Sequence, residues 1–372
     1  MFNETSITKI LPSDWRKGLF LGRIQTADGP SPILVQDGMA YDLSKTAPTT
    51  SELANLIPIN AKANTLLGPL EALEFPLLSP VDLQCIKACG VTFASSALER
   101  VIEEASRGNA GNALKVRERI EAQISSSLRK VVPGSTEAQA LKEILIENHL
   151  WSQYLEVAIG PYAEVFTKAP VLSTVGPHAE VGIRSDSKWN NPEPEIVLVI
   201  NARGEAIGAT LGNDVNLRDL EGRSALLLGK AKDNNASCAI GPLIRLFDDD
   251  FTLSHIRESE VDLLIEGKDG FRLEGKSNMS DISREPLDLV SQTLSEHQYP
   301  DGFALFLGTM FTPVKDRDVK GEGFTHKVGD VVKISNSYLG VLSNTVTTSA
   351  NAKPWTIGIA EFYKNLSLRG LI

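Results

Sequence analysis

Cysteine is scarce in this 372-residue chain: Cys85, Cys89 and Cys238 are the whole complement. An odd, low count leaves no disulfide framework and suits a reducing compartment. Cys85 and Cys89 are one residue too far apart for a redox CxxC motif, and no second pair exists to complete a metal site. They read as small apolar core residues. Long hydrophobic runs are missing too. No apolar stretch approaches the roughly 20 residues a membrane span requires. The N-terminal "MFNETSITKILPSDWRKG" lacks the apolar region of a signal peptide, so the expectation is a cytoplasmic protein with no membrane partner. Basic residues are outnumbered, with a net charge of −10, and no basic cluster is interleaved with aromatics. Nucleic-acid binding depends on phosphate neutralisation and is therefore excluded. The five histidines show no zinc spacing. His149 reads as a partly buried helix residue, and His297 is the one kept as a candidate pocket residue.

What is present fits a globular protein: 42% hydrophobic and 23% charged residues. Residues 1 to about 80 mix strand-like "GLFLGRIQ" and "PILVQDGMAYDL" with proline-bearing turns, which reads as a small β-rich N-terminal domain. The rest, 81–372, reads as the main domain. "IKACGVTFA" is its first strand. Residues 97–158 carry apolar positions at three-to-four spacing in "ALERVIEEASRG" and "ALKVRERIEAQI", the mark of helices. "STEAQALKEILIENHLWSQYLEVA" opens with Thr136 and Gln139 placed as a capping box. From 164 onward short strands alternate with Gly, Pro and Asn, which predicts a mostly antiparallel β-structure. A lid function for 97–158, with Gly108 and Gly111 as flexible points, is a further expectation.

The stretch "KWNNPEPEIVLVI" sets two carboxylates at the mouth of an apolar strand. Residues i and i+2 of a strand face the same side, so Glu193 and Glu195 project together. Burying two like charges is costly unless one takes a proton or a cation sits between them. An exposed strand start with both groups in water is the plain alternative. Asp214, at the end of "EAIGATLGND", lies one hairpin further on and can return beside the glutamates. Three carboxylates on one concave face make a hard-cation site that favours Mg²⁺, with Mn²⁺ or Ca²⁺ as substitutes.

The ordered set of ExE at Glu193 and Glu195, "NDVNLRD" at Asn213 to Asp219, a lysine at 230 or 232, Gly241-Pro242, Gly308-Thr309 and Gly329-Asp330 resembles the fumarylacetoacetate hydrolase superfamily. The resemblance runs from about residue 85 to the C-terminus. It implies an α+β, predominantly β fold: a mixed β-roll or barrel with a small N-terminal β-rich domain and a helical insertion. It further implies Glu193, Glu195 and Asp214 as ligands of a divalent metal, a small 2-oxo acid or 1,3-dicarbonyl substrate, and a homo-oligomer.

The superfamily's hydrolases carry a water-activating histidine in a motif resembling GxNYxxHxxE. Here "GVTFASSALE" places Ser96 at that position. A serine without a base cannot take a proton near neutral pH, which argues against hydrolysis. That segment, with "NNPEPEIVLVI", "GNDVNLRDLEGRSALLLGKAKDNNASCAIGP" and "HQYPDGFALFLGTMF", is similar to the sugar-acid dehydratase branch, which converts 2-keto-3-deoxy-pentonates to 2,5-dioxopentanoate. The resemblance implies a proton-moving lysine at Lys232 or Lys230 and an acid/base glutamate at Glu164. It implies Thr309 at the substrate carboxylate, Ser96 in the pocket, and Arg218 either at the carboxylate or in a structural ion pair. Both lysines are read as sharing one side of a strand. Trp189 lines the cleft or is buried. The rival readings are an acylpyruvate-type hydrolase or decarboxylase of the superfamily, and a non-catalytic sugar-acid-binding protein.

Overall fold

The computed structural model describes residues 7–118 and 131–372. Part of the segment read as helical, 119–130, lies outside them. Among the described residues the strands form two open, mixed sheets and no closed barrel. The larger sheet has ten strands in the order β4-β3-β2-β1-β10-β9-β8-β13-β5-β6. They are β1 (Phe20–Thr26), β2 (Gly29–Gln36), β3 (Met39–Asp42), β4 (Thr65–Pro69), β5 (Cys85–Gly90), β6 (Glu164–Ala169), β8 (Pro194–Ile200), β9 (Ala206–Asp214), β10 (Cys238–Leu246) and β13 (Phe303–Phe306). The smaller sheet runs β12-β11-β14-β15-β7, from β7 (Glu180–Ile183), β11 (Glu260–Glu266), β12 (Arg272–Asn278), β14 (Val331–Asn336) and β15 (Gly340–Thr348). Pairing is antiparallel except for β13 with β5 and β15 with β7. The N-terminal strands β1 to β4 have a small core around Trp15, Phe20, Ile33 and Leu70. They also extend the large sheet, through Phe20 opposite Arg245 and Leu21 opposite Ile244.

Strand periodicity decides where the chemistry goes. Along β8, Ile196, Leu198 and Ile200 join the core beneath the smaller sheet. Val197 and Val199 point the other way, into a second core with Ile86, Ile240 and Phe306. Every residue of β8 is buried, the pattern of a strand covered on both faces. Each fully buried Val or Ile adds about 1.5–3 kcal/mol, so the register is firmly held. By the same parity Glu193 and Glu195 stand on the Val197 side. The large sheet curls strongly on that side: Lys168 of β6 reaches Asp214 of β9 across the intervening β8, β13 and β5.

A third, helical core caps this concavity. It unites Ala97, Val101 and Ile102 of helix α2 (Ala94–Ala105; α1 is Thr50–Leu56) with Leu145 and Tyr154 from helices Thr136–Glu147 and Gln153–Ile159. The apolar stripe of "ASSALERVIEEA" at helical spacing makes α2 amphipathic. Helix Thr136–Glu147 starts one residue earlier than the capping-box reading: Ser135 is the N-cap and accepts from the Ala138 amide at 3.1 Å.

Candidate metal centre and active site

The β8–β9 hairpin does what the sequence implied. Glu195 lies opposite Gly212, and the Asp214 amide donates to the Glu193 carbonyl at 3.1 Å. One carboxylate oxygen from each of Glu193, Glu195 and Asp214 lies within 4.8 Å of the others, and all three residues are buried. The exposed-strand alternative is thereby set aside. Glu195 is also held from outside the hairpin, because its Oε2 accepts from the Gly308 amide at 2.7 Å. Gly308 has φ +112°, and a Cβ there would fall 1.9 Å from Thr92 Oγ1, so only glycine fits this turn. Thr309 follows directly and is buried.

The two candidate lysines separate. They sit on the short helix Leu228–Lys232, not on a strand. Two residues along a helix is about 200° of rotation, so one points in and the other out. Lys232 is buried, its Nζ 2.5 Å from Glu193 Oε2 and 3.0 Å from Asp214 Oδ2, and 5.8 Å from the centre of the Phe166 ring. Lys230 is exposed and stands away from the carboxylates. The reading of Lys230 as a site residue is corrected on that ground.

Glu164 opens β6 at the sheet edge, half-buried, and its carboxylate fills the space that a side chain on Gly90 would take. Burial raises its pKa; Arg100 and Lys232 oppose the shift, and Glu193 and Asp214 add to it. Glu164, Phe166 and Lys168 share one face of β6, and this alternation was the available signal for a residue the sequence reading missed. Lys168 is fully buried, its Nζ 2.8 Å from Asp214 Oδ1 and also bonded to the Lys232 carbonyl.

Several expectations are corrected. Ser96 Oγ donates to the Phe93 carbonyl at 2.8 Å and accepts from the Phe93 amide at 3.3 Å. Its hydroxyl is spent on starting α2 rather than in the pocket. Arg218 forms the structural ion pair, at 2.6 Å from Glu99 and 2.7 Å from Glu103, and stacks 4.3 Å above the buried Trp189 ring. His297 is exposed, stacked on Tyr299 at 4.5 Å. His149 is exposed as well.

The sequence reading also missed Arg100, Glu103 and Glu221. Arg100 lies 2.7 Å from Glu103, 2.7 Å from Glu193 and 2.8 Å from Glu221. Tyr154 closes the roof, its hydroxyl donating to the Glu221 carbonyl at 3.3 Å. The signal was the i,i+3 spacing of Arg100 with Glu103 and of Arg218 with Glu221, four charges that look solvated until α2 is laid over the sheet.

In this cluster Glu99, Glu103, Glu164, Glu193, Glu195, Asp214 and Glu221 face Arg100, Arg117, Lys168, Arg218 and Lys232, an excess of two carboxylates. Such an imbalance in a desolvated space must be met by protons or by a cation. The strain is concentrated on Glu195, whose pKa is driven well up by burial and then by Asp214 and Glu193. Asp214 goes down, because Lys168 and Lys232 outweigh its burial. Glu221 is pushed up to about 7 by burial, against the pull of Arg100. Oxygen-only donors, their close spacing and two uncompensated negative charges fit one hard divalent ion.

The chain belongs to the fumarylacetoacetate hydrolase family: the pattern for the fumarylacetoacetate (FAA) hydrolase C-terminal domain matches residues 147–347, more than half its length. Within the family it is 34% identical over 202 residues to the probable 2-keto-3-deoxyxylonate dehydratase of Haloferax volcanii, covering 54% of this chain and 66% of that protein. It is 32% identical over 190 residues to the 2-dehydro-3-deoxy-D-arabinonate dehydratase of Saccharolobus solfataricus, covering 49% and 58%. These matches thus span less than two thirds of either relative. Among solved structures, 2-keto-3-deoxy-D-arabinonate dehydratase superposes over 88% of this chain and 99% of its own, with TM-score 0.63 and 20% identity. A form of that enzyme complexed with magnesium and 2,5-dioxopentanoate gives TM-score 0.62. The fumarylacetoacetate hydrolase of Exiguobacterium antarcticum gives 0.58 at 17% identity. At these identities the superpositions establish a shared fold.

Proposed function

We propose that the protein is a Mg²⁺-dependent hydro-lyase that converts a 2-keto-3-deoxy-pentonate into 2,5-dioxopentanoate and water. The observation that carries this is the buried carboxylate triad with Lys232 and Glu164 at its side, in a chain whose relatives are named dehydratases. Glu193, Glu195 and Asp214 would hold the ion. When bound it would supply Lewis acidity to the C2 ketone oxygen and so acidify the C3 protons. Mn²⁺ and Ca²⁺ are the expected substitutes.

The remaining work falls to side chains. Lys232 is held in its ammonium form: burial favours the neutral amine, but Asp214 and Glu193 outweigh it. As the neutral amine it serves as the base at C3. Glu164, with its pKa raised by burial, retains a proton more readily than an exposed carboxylate. It delivers that proton to the departing C4 hydroxyl. Glu164, now a carboxylate, takes a C5 proton, the Lys232 ammonium returns its proton to C3, and the resulting C4=C5 enol tautomerises to the aldehyde, so the net change is removal of one water. Thr309, beside the Gly308 amide that fixes Glu195, positions the substrate carboxylate. The roof of α2 and helix Gln153–Ile159 keeps bulk water from the reacting carbons.

The hydrolytic alternative lacks its base, since Ser96 is committed to α2. Three free cysteines suit a cytoplasmic setting. No helix among the described residues is long and apolar enough to cross a membrane. The resemblance further favours a homo-oligomer, and 1–80 and 81–372 as its domains. The test is incubation of purified protein with each C4 epimer, with and without chelator. One five-carbon dioxo acid with no pyruvate or CO₂ supports the reading; pyruvate, CO₂, or turnover unaffected by complete metal removal overturns it.

A further inference from the structure

Glu193 is held from two directions. Its Oε2 faces Lys232 at 2.5 Å, while its Oε1 faces Arg100 at 2.7 Å. Arg100 does not belong to the sheet that carries the carboxylates. It projects from α2, whose apolar face is part of the separate helical core. The same guanidinium pairs with Glu103 of its own helix and with Glu221 of the short helix Arg218–Glu221, which follows directly on β9 and Asp214. One buried, planar fork therefore joins the roof, the lead-in to β8 and the segment after β9. Lysine carries the same charge but presents a point, not a fork.

We propose that Arg100 is a positioning residue. It fixes the rotation of the Glu193 carboxylate so that Oε2 alone is presented to the cation, and it thereby joins metal binding and the seating of α2 into one equilibrium. This rests on the metal-site reading above. It goes beyond it by assigning the coupling to a residue outside the ligand set.

Two effects of Arg100 on a cation oppose each other. Its charge repels the ion, while its orientation of Glu193 favours it. Outer partners that orient a ligand are typically worth about ten- to a hundredfold in metal affinity. In a cluster already carrying two uncompensated carboxylates, orientation outweighs repulsion. The two roles predict opposite signs. If orientation dominates, both R100K and R100M bind Mg²⁺ at least about tenfold more weakly than wild type. If Arg100 is only a buried charge, R100K binds like wild type and R100M binds more tightly. Coupling is reciprocal, so Mg²⁺ must in turn steady α2.

The experiment is calorimetric titration of MgCl₂ into wild type, R100K and R100M, with circular dichroism confirming folding. It is paired with hydrogen exchange over residues 94–105 of the full-length wild type, with and without Mg²⁺. Weaker binding by both variants, or by the one that folds if only one does, and exchange at α2 slowed several-fold by Mg²⁺ in wild type, support the proposal. Unchanged affinity in R100K, tighter binding in R100M, or α2 exchange indifferent to Mg²⁺ overturns it while leaving the metal site standing. Should neither variant fold, the wild-type exchange result decides alone. Absence of any Mg²⁺ binding by wild type overturns both this proposal and the reading it rests on.

Discussion

Lys168 places its ammonium 2.8 Å from Asp214 although three strands separate β6 from β9 in the sheet. The contact exists only because the large sheet curls, and it anchors the sheet's edge to its catalytic centre. K168M would leave the buried Asp214 with one cationic neighbour fewer. Breaking a buried pair by removing one partner costs about 3–5 kcal/mol. The expected outcome is a loss of that order in denaturant unfolding, with activity reduced about ten- to a hundredfold.

The two lysines of the helix Leu228–Lys232 should part company in assays. K232M is expected to lower kcat by about 10²–10⁴, the usual worth of a positioned proton-transfer group. K230M, at an exposed position, is expected to match wild type in kcat, KM and thermal midpoint. Steady-state kinetics on both, with circular dichroism as a folding control, checks this; equal losses would mean the helix is placed the wrong way round.

E195Q keeps the shape of the side chain and the Gly308 contact but removes one negative charge from the triad. Activity is expected to fall to background and added Mg²⁺ should not restore it. In the wild type, chelation followed by Mg²⁺ replacement should remove and then return activity. Because burial and two neighbouring carboxylates press on Glu195, E195Q should be no less stable than wild type in metal-free buffer, which a thermal melt measures.

Away from the site, Asp330 is buried between Arg317, at 2.6 Å, and His326, at 3.2 Å. Its pKa falls to about 2: burial opposes the shift, and the bonds from Arg317 and His326 outweigh it. A carboxylate depressed on folding stabilises the native state above its unfolded pKa, and that contribution fades as pH falls through the folded value. D330N should therefore be about 2 kcal/mol less stable at pH 7. The gap from wild type should narrow between about pH 4 and pH 2. Guanidinium midpoints across that range give the answer, and a gap independent of pH would show that packing, not charge, holds the site.

The sequence carried the site's first layer plainly. Spacing by two on a strand put Glu193 beside Glu195, and one hairpin brought back Asp214. Parity also contained Lys168, since Glu164, Phe166 and Lys168 alternate along β6, but its partner lies on a strand the curl alone brings near. Arg100, Glu103, Arg218 and Glu221 looked like charges between apolar helix positions. Nothing local says that α2 lies over the sheet with that face inward. Lys232 was a correct candidate, but the reading that set Lys230 on the same face failed because "LGKAK" has the length of either a strand or a single helical turn, and the two geometries give opposite answers about which side chains share a face. Ser96, expected in the pocket, has its hydroxyl consumed one turn back at Phe93, a local capping preference that outbid the pocket.

The two-sidedness of β8 has an evolutionary corollary. Ile196, Leu198 and Ile200 bind the sheets together, while Glu193 and Glu195 stand in the carboxylate cluster and Val197 and Val199, on the same face, pack into the second core. Neither side of the strand is idle: one carries the carboxylates and the valines of the second core, the other the inter-sheet seam. A single-residue insertion inside this strand is the change neither side can absorb, since it would exchange the two faces at once. Descendants of this chain are therefore expected to keep the length of this strand frozen.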